Sequence, residues 1–238
     1  MPFKNITFIF LVLLFGCSID DDPSVDVFTA SFDFSESQND WHGDFVDLPA
    51  GEDDSAFYEL KFAYTSLPQN LGGKKSIMLS GNNHSDDLFM FIKRKITGLV
   101  PNTTYTLVFE VELASNAPQG SVGAGGSPGG SVFLKAGAST IEPAKVLQNG
   151  RWELNVDKGN QSTPGQHAIV LGDIATPGNT TDYTIISRSN IAYSAAPVFM
   201  AQTNSKGEIW LLVGTDSGFE GITTLYYTKI NIVFSAPY

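Results

Sequence analysis

Along most of the chain, apolar side chains recur at every second position. Between Thr103 and Ser115, Tyr105, Leu107, Phe109, Val111 and Leu113 fall on one face. Thr106, Glu110 and Glu112 fall on the other, with Val108 the exception. A repeat of two marks a strand with one buried face. Ser55 to Thr65 alternates likewise through Tyr58, Leu60, Phe62 and Tyr64. Thr224 to Phe234 sets Tyr226, Ile230, Ile232 and Phe234 against Lys229 and Asn231. Glu208 to Thr215 is apolar on both faces, as in a central strand covered from two sides, which places Trp210 in the core. Asp87 to Ile96 starts two-sided and becomes amphipathic, and shorter strands are expected at 27–34, 75–80, 131–136, 151–156, 167–174 and 197–203. Together these make about eleven strands, parted by Gly, Pro, Asn and Asp. Outside the N-terminal segment no long stretch shows a 3.6-residue apolar stripe, so little helix is expected. Many short strands without helices predict an all-β sandwich or barrel. Residues 117–130, APQGSVGAGGSPGG, read either as a linker or as a long loop. Residues 131–238 lack an evident core of their own, which favours the loop and a single domain.

The N-terminus follows different rules. Lys4 precedes an apolar run from Ile6 to Phe15, broken only by Thr7. A run of about ten residues suits a signal peptide, whereas a membrane span needs roughly 20. Leu14-Phe15-Gly16-Cys17 resembles a bacterial lipobox, in which the cysteine becomes the lipidated first residue of the mature protein; Cys17 is the only cysteine in the chain. The run Asp20-Asp21-Asp22-Pro23 resembles the surface-export signal of Bacteroidota lipoproteins and also reads as a solvated tether. The organisation expected is a signal peptide over 1–16, a lipidated Cys17 and acidic tether over 17–25, and a β-sandwich over 26–238. The expected location is the outer membrane, lipid-anchored and exposed at the cell surface.

Composition removes other classes. With 42% hydrophobic and 16% charged residues the chain is no disordered polymer. A single cysteine rules out a disulfide framework and a thiolate zinc cluster. Lys plus Arg number 14 against 25 Asp plus Glu, a net charge of −11 that argues against nucleic acid as a partner.

The passage Ile96-Thr97-Gly98-Leu99-Val100-Pro101-Asn102-Thr103-Thr104-Tyr105-Thr106-Leu107 resembles the loop and long core strand of galactose-binding-like jelly rolls. Leu225-Tyr226-Tyr227-Thr228-Lys229-Ile230-Asn231-Ile232 resembles their closing strand. The resemblance implies a jelly-roll sandwich of two antiparallel sheets, a class in which carbohydrate-binding modules are common; it carries no sugar-contact residue with it. The chain as a whole also resembles uncharacterised bacterial lipoproteins. Val132 to Gly137 is similar to the Lys-Ala-Gly strand of jelly-roll alginate lyases, and Gln166-His167 to their Gln-x-His motif. The order of the motifs is reversed, however, and the Arg-rich strand is missing, so no activity transfers.

Candidate chemistry lies in the polar loops. Asn82, Asn83, His84, Asp86 and Asp87 sit between two strands. They could bond sugar hydroxyls, ligate calcium, or simply satisfy a hairpin turn. Trp41 and Trp152 offer aromatic faces for sugar rings or belong to the core, with His42, Asp157 and Lys158 beside them in sequence. Asp216 and Glu220, four apart among glycines, suit either an oxygen-ligand metal site or a turn; a structural calcium is the only cofactor the pattern suggests. Neither HExxH nor GxSxG is present. The leading expectation is a surface-anchored, non-catalytic glycan-binding sandwich. The alternatives are a structural or adhesion component of an envelope complex, and a glycan-active lyase or hydrolase. The partners expected are thus a glycan or an envelope protein, with the membrane reached through the lipid.

Overall fold

The structure, a computed structural model, describes residues 25–51, 54–191 and 198–237. The segment expected to be a signal peptide, Cys17 and the acidic run lie outside the described residues. In chain order the strands are β1 (Val25–Asp33), β2 (His42–Val46), β3 (Leu48–Pro49), β4 (Lys61–Ser66), β5 (Lys75–Asn82), β6 (Leu88–Ile96), β7 (Thr104–Ser115), β8 (Val132–Ser139), β9 (Lys145–Gln148), β10 (Arg151–Leu154), β11 (Gly159–Asn160), β12 (Thr163–Pro164), β13 (Ala168–Asp173), β14 (Thr184–Ser189), β15 (Phe199–Gln202), β16 (Ile209–Ser217) and β17 (Ile222–Pro237). One helical turn, α1 (Asp54–Phe57), precedes β4. No helix among the described residues is long and apolar enough to cross a membrane.

Two antiparallel sheets carry the fold. The larger runs β14-β7-β17-β5-β4, with β1 also paired to β17 and β15 also paired to β7. The smaller runs β13-β8-β16-β6-β2. The chain changes sheet from β5 to β6, again to β7 and to β8, and finally from β16 to β17, as jelly-roll sandwiches do. The all-β sandwich is therefore as the alternation predicts, with more strands than eleven. The added ones are short or half exposed: β14 buries only Ile186, so its sequence carries no period of two. Ser55 to Thr65 departs from expectation. Ser55 to Phe57 lies in α1, Glu59 takes a positive φ of 51°, and the Leu60 amide donates to Ser55 O, so the strand begins only at Lys61.

Between the sheets lies one core. Leu107, Phe109, Val111 and Leu113 of β7 and Ile230, Ile232 and Phe234 of β17 meet Met90, Ile92, Leu134, Ala136, Leu211 and Val213 of the smaller sheet. Each large apolar side chain removed from water in this way contributes about 1.5–3 kcal/mol. The smaller sheet is covered on its other face as well. Val46, Phe89, Phe91, Ala168 and Leu212 point away from the main core and meet Val156 and the half-buried Leu154 in the 140–167 segment. Being apolar on both faces, β16 reflects this double cover. Trp210 is an exception to that expectation: it is half-buried on the outward face, with the Lys95 ammonium 5.3 Å from its ring centre. Residues 117–130 form a packed loop. Pro118 bridges Thr176, and a side-chain carbon at Gly129 would press on Ala175.

Candidate functional site

The outward face of the smaller sheet carries two charges in an otherwise apolar surface. Lys135 alternates with the inward Leu134 and Ala136 on β8, and Asp216 alternates with Thr215 on β16. Lys135 pairs in register with Gly214, and Asp216 with Phe133, so the two charges are diagonal neighbours. A β-carbon at Gly214 would stand 2.7 Å from Phe91 Cβ and 2.9 Å from Phe89 Cζ, so this position tolerates only hydrogen. Both charged side chains are 0% exposed and lie 3.0 Å apart, Nζ to Oδ2. The Lys135 ammonium also donates to Lys158 O at 2.9 Å and Thr163 O at 3.1 Å. It therefore ties the loop running from β10 to β12 down onto the sheet.

That loop returns a second ammonium. Lys158, nearly buried, donates to Asp216 Oδ2 at 2.8 Å and to Gly159 O at 3.2 Å, and sits 2.7 Å from Asp47 Oδ2. Its Nζ also lies 4.9 Å from the Phe89 ring centre. The Gln161 amide completes the shell of Asp216 Oδ2 at 2.9 Å. Asp47 follows β2 in a left-handed conformation, φ 66°, and its carbonyl accepts from Arg151 Nη2 at 2.8 Å. Above these groups opens a cleft of about 270 Å3, lined by Asp47, Asp87, Glu153, Leu154, Val156, Asp157, Lys158, Gly159 and Asn160.

Three carboxylates face two ammoniums here. Burial pushes the Asp47 carboxyl up to about 6, against the pull of Lys158. Burial, reinforced by the charges of Asp47 and Asp216, pushes Asp87 up to about 7. Burial also acts against the charge of Lys158, but Asp216 and Asp47 outweigh it and raise its affinity for the proton. Lys135 is lowered by burial, which Asp216 offsets only in part. Near neutral pH the surplus negative charge is thus relieved by a proton held on the Asp87 side of the cluster.

The residues expected to bind ligand fall in different environments. Trp41 is fully buried, edge-on to Phe32 at 5.5 Å and Phe34 at 6.2 Å, and so presents no open face to a sugar. Asn83 is buried as well. Its amide donates to Ser217 O and Phe219 O and its carbonyl accepts from Ser85 N, which uses both donors and one of its two acceptor sites. Trp152 is half-buried against the core, with the Lys145 ammonium 4.5 Å from its ring centre. Asn82 donates to Glu59. His84 is exposed and packs on Phe57 with ring centres 4.4 Å apart. His42 is exposed on the edge strand β2. Asp86 is exposed, and its carbonyl accepts from Gln161 Nε2.

Asp157 and Lys158 do reach the cleft. Amides of Gln166 and Gly159 hold the Asp157 carboxyl below its usual range. Asp216 and Glu220, expected as a pair of metal ligands, stand in different surroundings. Asp216 is fully buried in the ion network beneath the cleft, while Glu220 is exposed and its amide donates to Ala124 O of the Gly-rich loop. The carboxylates that do converge with Asp216 are Asp47 and Asp87, with oxygens within 4.8 Å of one another. The Lys158 ammonium already stands on two of the three, so a divalent cation would have to displace it. Lys135, the lysine of the Lys-Ala-Gly strand, enters the sequence analysis only through the lyase alternative, and Asp47 carries no sequence motif. The signal for Lys135 and Asp216 was present all the same: opposite charges, each inside a strand apolar on both faces, must find one another.

No family model matches the chain, and no curated protein matches it. Solved structures of similar fold include a putative sugar-binding protein from Bacteroides thetaiotaomicron, 9% identical, spanning 87% of this chain and 92% of its own, TM-score 0.40. Another is the carbohydrate-binding module TmCBM27, described for mannan recognition, 10% identical over 87% of this chain and 98% of its own, TM-score 0.36. A third is the K1 adhesin domain of Lys-gingipain from Porphyromonas gingivalis, 9% identical over 86% and 97%, TM-score 0.37. Values this low speak to no residue of the cleft.

Proposed function

We propose that this chain is a surface lipoprotein whose β-sandwich binds a glycan, without catalysis, in the cleft above Asp47, Asp87 and Lys158. One observation carries the reading: an open cleft, lined mainly by acceptors and donors, stands on a buried ion network that fixes their positions. Sugar hydroxyls need paired acceptors and donors. Groups held before binding lose little freedom when the ligand arrives. Lys135 and Lys158 spend their protons inside the protein, which suits a scaffold rather than a nucleophile. Affinity electrophoresis and a glycan array with the purified protein test the proposal. Retention by a polysaccharide, weakened about tenfold in Asp87→Asn, is expected; folded protein that no neutral or acidic glycan retards would refute it.

A second reading rests on Asp87 itself. A carboxyl pushed up to about 7 beside Asp47 is suited to general acid chemistry. New reducing ends or unsaturated products from a bound polysaccharide, absent with Asp87→Asn, would establish hydrolase or lyase action in place of simple binding.

A further inference from the structure

The charges beneath the cleft do not balance. Lys158 is committed to Asp216, Asp47 and Gly159 O, and Lys135 to Asp216, Lys158 O and Thr163 O. An ammonium has three protons to give, so neither has one to spare. Asp87 completes the trio of carboxyls with Asp47 and Asp216, yet it forms no ion pair among the described residues. Its Oδ1 is buried and accepts no hydrogen bond, and the same holds for Oδ1 of the fully buried Asp216. The cluster is one cation short. Unlike Asp216, Asp87 is only half-buried and lines the open cleft, so a cation has a route to it from solvent. The rest of the cleft is also acidic. Asp157 is exposed, and the Gln166 and Gly159 amides keep it ionised. Glu153 is 35% exposed, with Arg151 Nε 3.4 Å from its Oε1.

These features select a ligand by its charge. An acidic polysaccharide would be repelled by Asp87, Glu153 and Asp157 together. A neutral one would find acceptors for its hydroxyls but leave Asp87 without a counter-charge. A divalent cation would compete with Lys158 for Asp47 and Asp216, whereas an ammonium on the ligand needs only Asp87. From the unpaired Asp87 on the wall of this cleft, we propose that the glycan taken here carries a protonated amine, as deacetylated amino sugars do, and that this ammonium pairs with the Asp87 carboxylate. The proposal rests on the glycan-binding reading above and names the class of sugar. In the free protein a proton occupies that place. Burial and the charges of Asp47 and Asp216, against those of Lys158 and Arg151, push the Asp87 carboxyl up to about 7. Below that pH the arriving ammonium displaces the proton, so binding and proton release are linked.

The test is isothermal titration calorimetry of the purified protein at about pH 6, with two oligosaccharides of one backbone: the glucosamine tetramer and its fully N-acetylated counterpart. The glucosamine tetramer should bind about tenfold more tightly. Its binding should also release a proton, seen as a heat that changes with the ionisation enthalpy of the buffer, while the neutral tetramer releases none. In Asp87→Asn the two tetramers should bind alike and without proton release. The release is read on the parent protein, so the test stands even where the variant fails to fold. Equal binding of the two tetramers by the parent overturns the proposal and leaves glycan binding standing. So does an advantage that persists in folded Asp87→Asn, since that would be attraction to the acidic chain as a whole, and so does tight binding without proton release. Binding of neither tetramer, nor of any other glycan, overturns both readings of the cleft.

Discussion

Asp216 holds two ammoniums and a backbone amide on one oxygen, and its side chain is 0% exposed. Removing its charge strands Lys135 and crowds Lys158 onto Asp47 alone. Breaking a buried pair of this kind costs about 3–5 kcal/mol, so Asp216→Asn should lower the urea midpoint by that equivalent with the slope unchanged. Asp87 makes an opposite prediction about pH. Its carboxyl rises from 3.8 to about 7 on folding, so between those values the folded state binds the extra proton. Its contribution to stability is therefore full below the lower value and is lost as pH climbs through about 7. Asp47 acts the same way up to about 6. Asp87→Asn should match the parent at low pH and exceed it in stability above neutrality, as followed by denaturation across the range. A constant difference at every pH would show that Asp87 does not titrate in this way. Asp47 was not legible as a partner, because its side chain gains meaning only where Lys158 returns to it across 111 positions of chain between β2 and β11.

Strands are legible in the sequence where they are long and one-sided, and illegible where they are short. β7 matches its alternation almost residue for residue, since every inward position must be apolar. Pieces such as β3, β11 and β12, of two residues each, have no period to read. Their existence depends on what they pair with: β3 on β10, and β11 on β12. Gly137 shows the reverse case, a residue within a well-read strand whose reason lies elsewhere. A β-carbon there would strike the backbone at His167 and Ala168, where the Ala138 amide donates to His167 O at 3.0 Å. Gly137→Ala should destabilise the protein by about 1–3 kcal/mol through overpacking. Faster hydrogen exchange concentrated in β13 would locate the damage; unchanged stability would mean that the strand entry gives way freely.

For the whole molecule, the proposed anchor and the proposed binding cleft are tested separately. The lipid attachment read at Cys17 predicts incorporation of a labelled fatty acid in cells and its loss in Cys17→Ser; unchanged labelling of the variant would exclude lipidation there. The sequence by itself determined the class of fold, because burying one face of many strands imposes a period of two that survives without coordinates. What it left open was the site. Trp41 and Asn83 look like recognition residues in a string of letters and are both buried in space, Asn83 with its two donors bound to backbone carbonyls. Lys135 and Asp216, on β8 and β16, meet only because β16 pairs with β8 in the register that sets Lys135 against Gly214. Local alternation is a property of neighbours in sequence, whereas a cluster of charges is a property of register between distant strands, and only the assembled sheets decide it.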